Sequence, residues 1–245
     1  MQLKTYRLET HVHTKFSHDS LLPFWLLYLK CRLCGIDYIA ITEHNNIEGA
    51  IAFKEYCCKR GSKVNVIVGE EVMTQSGEVI GLFLNKQIEA GLTAKETIEN
   101  IVKQNGIVYI PHPYDLKRFK TVLNEESILK NLELIDCIES HNGRNINRDY
   151  SNKQREITEK YKAVKVIGSD AHSVFEIGRN YMEVALKPNS PNAFREALKH
   201  AKFKQAECIA SSHIITKVDR VLKFLLKGDC RGLCRVLNKK FRRKV

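Results

Sequence analysis

Apolar and β-branched runs alternate with stretches of helical periodicity along most of the chain. Strands are predicted at Lys4 to Thr10, Tyr38 to Thr42, Val64 to Gly69, Val79 to Leu84, Ile107 to Ile110, Leu134 to Glu139 and Val164 to Gly168. Helices are predicted at Pro23 to Cys34, Ile47 to Lys59, Thr93 to Gln104, Glu125 to Asn131 and Asn147 to Tyr161, with a last one opened by Ser190 and Pro191. This alternation means a parallel sheet with crossover helices, either an open doubly wound sheet or a closed barrel. In both, chemistry gathers at the C-terminal ends of the strands.

The residues at those ends are of one kind. His11 and His13 follow the first strand, Glu43-His44 the second and Glu70-Glu71 the third; then come His112, His141, and Asp170 with His172. Six of the nine histidines fall there, so their placement follows the strand period rather than scattering. Residues two apart on a strand project to the same side, so His11/His13 and Asp170/His172 each offer two ligands to one cavity. Many neutral imidazoles and carboxylates in one barrel mouth would be poorly compensated without a cation.

The motifs His11-Val-His13-Thr14, Ser17-His-Asp19-Ser20 and Ala40-Ile-Thr-Glu43-His44-Asn45 resemble the opening motifs of the PHP (polymerase and histidinol phosphatase) superfamily. Val68-Gly-Glu-Glu71-Val, Ile110-Pro-His112-Pro, Ile138-Glu-Ser-His141-Asn-Gly-Arg144 and Gly168-Ser-Asp170-Ala-His172 resemble its later motifs in the same order, over about residues 6 to 184. The resemblance implies a distorted (β/α)7 TIM-like barrel with a trinuclear metal site at its mouth, in a family made up mostly of metal-dependent phosphoesterases. It puts His11, His13, Glu71 and Asp170 on one metal, His112 and His141 with Glu71 on a second, and Asp19, His44 and His172 on the third. Glu9 and Glu43 depart from the Asp of many members, and Ser76-Gly77-Glu78 stands where some have a further His. The chain is too short for the large helical insertion that caps the pocket in some relatives.

The implied activity is hydrolysis of a phosphate ester by metal-activated hydroxide, on a small phosphomonoester, a nucleotide or an oligonucleotide end. Mixed imidazole and carboxylate ligands favour Zn, Mn or Fe over Mg for the three divalent ions. Glu71 and Asp170 would serve catalysis as metal ligands. Candidate donors to free phosphate oxygens are Lys15, His18, Arg118, Arg144 and Arg179, with Arg144 and Arg179 favoured as bidentate clamps. No P-loop, dinucleotide fingerprint or nucleophile elbow is present, which argues against nucleotide-triphosphate motors, dehydrogenases and serine hydrolases.

Charge changes the picture only at the C-terminal end. The 245 residues carry a formal +12, and Ile214 to Val245 hold eleven Lys/Arg against Asp219 and Asp229. The expected division is therefore a barrel domain, 1–213, and a basic amphipathic helical tail, 214–245. The tail would either dock its apolar stripe (Val218, Val221, Leu222, Leu225) on the barrel or bind RNA or another polyanion. A regulatory metal module acting through that tail is a second reading of the whole chain, and metal-dependent amide hydrolysis a third. The longest apolar run near the N-terminus, Leu21 to Leu29, contains Pro23 and falls short of the roughly 20 residues that span a bilayer. With no apolar signal region at the start, a cytoplasmic protein with eight reduced cysteines is expected.

Overall fold

Tyr6–Val12 (β1) is the hub of the sheet, pairing in parallel with Tyr38–His44 (β2) and Val164–Ala171 (β7). The computed structural model describes residues 4–115, 118, 120–229 and 232. Between β2 and β7 come Asn65–Thr74 (β3), Gly77–Leu82 (β4), Ile107–Ile110 (β5) and Cys137–Asn142 (β6), each bonded to the next. The ring of seven closes because β1 bonds both β2 and β7. Helices Phe24–Cys34 (α1), Glu48–Cys58 (α2), Ala94–Lys103 (α3), Glu125–Lys130 (α4) and Arg148–Lys160 (α5) surround it. Tyr181–Val184 (β8) pairs antiparallel with β1 outside the ring, followed by Pro191–Leu198 (α6), Lys202–Lys204 (β9) and Ser212–Leu226 (α7).

Local sequence sets the helix ends. Gly35 closes α1 in the left-handed conformation, Thr93 and Glu96 form a reciprocal capping box on α3, and Ser190 with Pro191 opens α6. Strand parity divides the core in two. Ile39 and Ile41 pack outward with Leu27, Ala50 and Phe53 of the first two helices. Tyr38 and Ala40 face the other way, into a cluster of Leu8, Ile107, Tyr109 and Cys137 with Phe194, Ala197 and Leu198 of α6. Leu8, Tyr38, Ile107 and Cys137 lie at or near strand starts, so α6 plugs the N-terminal end of the barrel and leaves the C-terminal end to polar side chains.

The distortion lies in β4, which runs antiparallel to both β3 and β5. A tight turn replaces the crossover helix after β3. Thr74 Oγ1 bonds the Gly77 carbonyl at 2.6 Å, and Gly77 has φ 126°, where a Cβ would stand 2.4 Å from the Val122 oxygen and the Leu123 nitrogen. The reversal brings Glu78, at the start of β4, to the mouth.

The six described cysteines are unpaired; Cys230 and Cys234 lie outside the described residues. Among the described residues no helix is long and apolar enough to cross a membrane. The expected boundary after residue 213 falls inside α7, and seven of the tail's eleven basic residues lie outside the described residues.

Candidate metal centre

Glu71 sits on β3 at the middle of a ring of imidazoles. Its Oε1 is 3.2 Å from His11 Nε2 and 3.1 Å from His112 Nε2, and its Oε2 is 3.4 Å from His13 Nε2 and 3.0 Å from His44 Nδ1. Asp170 Oδ1 lies 3.7 Å from His11 Nε2, 3.6 Å from His13 Nε2 and 3.5 Å from His172 Nδ1. Asp19 Oδ1 lies 3.6 Å from His44 Nε2 and 3.3 Å from His172 Nε2. Glu78 completes the ring, 3.7 Å from His44 Nδ1 and 3.4 Å from His112 Nε2.

The donor set fits divalent cations. His11 Nε2, His13 Nε2, Asp19 Oδ1 and Glu71 Oε2 are buried without a hydrogen-bond partner among the described residues, an arrangement that is costly unless something positive joins them. Ligands roughly 2.0–2.2 Å from a shared ion stand about 3 to 3.6 Å from one another, close to the separations found here. Protonation tells the same story. Burial alone would raise the Glu71 carboxyl, yet His11 and His44 hold it well below the usual carboxylate range. Burial would lower His11 and His44, but carboxylates prevail and push both well above the ordinary imidazole value: Glu71, Asp170 and Glu139 at His11, Asp19 and Glu71 at His44. Burial and the neighbouring His172 and His44 hold His13 low, so its imidazole is neutral. Without metal, protons on the His11 and His44 rings supply positive charge to the carboxylates.

A further layer fixes which nitrogen each ring presents. His11 Nδ1 donates to Glu139 Oε1 at 2.7 Å, so that Nε2 is the nitrogen turned toward the cluster. Glu139 also accepts from the Tyr109 hydroxyl (2.5 Å), the His112 backbone N–H (2.6 Å) and Asn142 Nδ2 (2.9 Å). Ser17 Oγ donates to Glu43 Oε2 at 2.5 Å and so accepts from His13 Nδ1 at 3.0 Å, which turns His13 Nε2 inward as an acceptor. Glu43 further holds the loop through the Thr14 N–H and hydroxyl.

The family model for the PHP domain matches residues 9–209. The chain belongs to the PHP family. An uncharacterised protein of Methanocaldococcus jannaschii is 34% identical over 205 residues, 79% of this chain and 79% of that one. A second protein of that organism is 41% identical over 120 residues, 44% of this chain and 68% of the other. In the same fold is a two-domain protein of Bacteroides vulgatus in which a PHP-like metal-dependent phosphoesterase is predicted (TM-score 0.65, 19% identity, 82% of this chain). This chain spans 65% of that protein's length. A protein of Bifidobacterium adolescentis assigned as a metal-dependent phosphoesterase has a TM-score of 0.57 at 14% identity, over 82% of this chain and 96% of that one. At these identities the likeness to solved structures is one of fold.

Of the residues singled out from sequence, the PHP barrel brings together His11, His13, Asp19, His44, Glu71, His112, Asp170 and His172. It does not bring His141 among them: Nδ1 pairs with Ser151 Oγ at 2.8 Å, and Nε2 faces Asn180 Oδ1 (3.2 Å) and the Ala206 carbonyl (3.3 Å). The ladder of β6 shifts register between Glu139 and His141, so two residues that alternation would put on one face diverge, and Glu139 points inward. Arg144 is buried and engaged by His172, Glu176, the Ser212 carbonyl and Thr216. Arg179 is exposed and bonds the Glu207 carbonyl. Arg118 instead reaches the cluster, donating to Asp170 and, at 3.0 Å, to Asp115. Sequence reading missed Glu78 and Glu139 as members of the site. Only the first left a signal, an acidic residue where some relatives have histidine.

Proposed function

We propose that this chain hydrolyses phosphate esters, with a small phosphomonoester, a nucleotide or an oligonucleotide end as substrate. The observation that carries the reading is Glu71, a buried carboxylate with two imidazole nitrogens on each oxygen, in a chain of the PHP family. The donors would hold three cations as His11 and His13 with Glu71 and Asp170, His112 with Glu71 and Glu78, and Asp19 with His44 and His172. Glu78 then takes the place that the sequence motifs gave to His141. Mixed nitrogen and oxygen donors suit Zn, Mn or Fe. Such ions, when bound, draw a nucleophile from water near neutral pH and neutralise charge on the phosphoryl group.

The chain's own groups do the rest. Glu139, and Ser17 backed by Glu43, hold the His11 and His13 rings with Nε2 aimed inward. Arg118 is anchored by Asp115 and Asp170 and keeps a buried Nη2 without a partner among the described residues, a donor for a phosphoryl oxygen. Asp19, Glu71, Glu78 and Asp170 together would be outweighed by three divalent cations, which leaves a positive pocket for a phosphate dianion.

The test is phosphate release by metal-free protein reconstituted separately with Mn, Zn and Fe. The substrates are p-nitrophenyl phosphate, nucleoside monophosphates and a 5′-phosphorylated oligonucleotide. Release with at least one metal, lost in His13→Ala, is expected. No release from any ester with any metal would overturn the reading and favour a metal-bound regulatory module.

A further inference from the structure

The helix that follows the barrel does not stand apart from the site. Four turns of α7 are tied to the mouth: Arg144 reaches the Ser212 carbonyl (3.0 Å) and Thr216 Oγ1 (2.5 Å), Asp219 Oδ2 accepts from Leu21 N–H (2.9 Å), and Lys223 donates to the carbonyls of Lys15 (2.6 Å) and Ser17. Between these anchors Arg220 points at Asp19. Its Nη2 is 2.5 Å from His18 Nε2 and 3.4 Å from Asp19 Oδ2. Asp19 is thereby used on both sides, with Oδ1 turned to His44 and His172 and Oδ2 to the guanidinium.

The geometry points to Arg220 as a phosphate-binding residue of this site, supplied from outside the barrel and suited to a terminal phosphate dianion. The inference rests on the phosphoesterase reading and extends it. A ligand oxygen held where Asp19, His44 and His172 converge lies one carboxylate away from the guanidinium. Arg220 is only partly committed. Its Nε is buried without a partner among the described residues, while the side chain as a whole keeps 38% of its surface exposed, so a ligand at the rim can reach it. The neighbouring cation of α7, Lys223, is already taken up by backbone carbonyls, and Lys217 is exposed. With Arg118 on Asp170, Arg220 places a second guanidinium against a carboxylate of the cluster, and a guanidinium can offer a phosphate paired N–H donors.

The experiment is calorimetric binding of inorganic phosphate to the metal-loaded full chain, comparing wild type with Arg220→Gln, Arg220→Lys and Lys217→Gln. Metal content and Tm are recorded for each. Arg220→Gln should weaken phosphate binding by roughly tenfold or more, the usual loss for one charged hydrogen bond. It should raise the KM for p-nitrophenyl phosphate in parallel and keep its metal. Arg220→Lys should recover part of the affinity, and Lys217→Gln should match wild type, which separates a local contact from a general charge effect. Phosphate affinity unchanged in a fully metal-loaded Arg220→Gln overturns the proposal. So does loss of metal in both Arg220 variants, because the residue would then serve Asp19 rather than the ligand. Wild type that binds phosphate but cleaves no ester would sink the phosphoesterase reading alone, since the binding ratio still decides the role of Arg220.

Discussion

His11, His112 and Asp170 face the cluster from a backbone with φ of 64°, 29° and 50°. Such conformations cost about 1–3 kcal/mol each and persist where surrounding contacts enforce them. Glu139 enforces two of the three, through the His11 ring and the His112 N–H, and Arg118 holds the third by its carboxylate. Room for Glu139 depends on Gly168, where a Cβ would stand 1.8 Å from Glu139 Oε1 and 2.9 Å from the Tyr109 hydroxyl. Gly168→Ala should therefore destabilise by at least about 1–3 kcal/mol and lower metal affinity, read by thermal melts and metal titration. Wild-type values for both would deny Glu139 its positioning role. His13 and His141 offer a contrast on the same page of chemistry. His13→Ala should lose phosphate release by more than about a hundredfold, whereas His141→Ala, which removes bonds to Ser151 and Asn180, should lose less than about tenfold. Equal losses would return His141 to the metal centre.

At the scale of elements, the regularity that sequence made legible was chemical: histidines and carboxylates recur at one strand end after another, with a helix between most of them. What alternation could not reveal is where a strand breaks its own parity. The ladders of β1 shift between Glu9 and Val12, and β6 shifts between Glu139 and His141, so the side chain that faces inward depends on a backbone irregularity and not on residue type. The His11/His13 pair thus reaches one cavity through a bulge and a left-handed residue rather than by simple two-residue alternation. The reversal of β4 was hidden too, since a hairpin and a crossover begin with the same apolar run, and it is the reversal that carries Glu78 to the mouth. α6 closes the opposite end. Phe194 is fully buried there, and Phe194→Ala should cost roughly 3–5 kcal/mol while leaving the ligand cluster in place. A denaturation curve with metal content measured on the folded fraction checks both halves; loss of metal without loss of stability would contradict the assignment of α6 as a plug.

The whole molecule is polarised between an apolar end sealed by α6 and a polar end whose buried carboxylates rely on ring protons for compensation when no cation is present. Metal should therefore be part of its stability. Each occupied site contributes about 2.7 kcal/mol at a hundredfold excess over Kd, and a chain of this size shifts by about 2–4 °C per kcal/mol. Exhaustive chelation should lower Tm by roughly 5–11 °C for each site emptied, and restoring Mn or Zn should recover it; a Tm indifferent to chelator would mean that protons alone satisfy the cluster. The most direct measurement is the number of ions per chain by elemental analysis after reconstitution, for wild type and Glu71→Gln. A trinuclear cluster requires three in the wild type, with a marked loss in Glu71→Gln because that carboxylate touches four of the imidazoles. Only trace metal in the wild type, or the same count in both proteins, would contradict it.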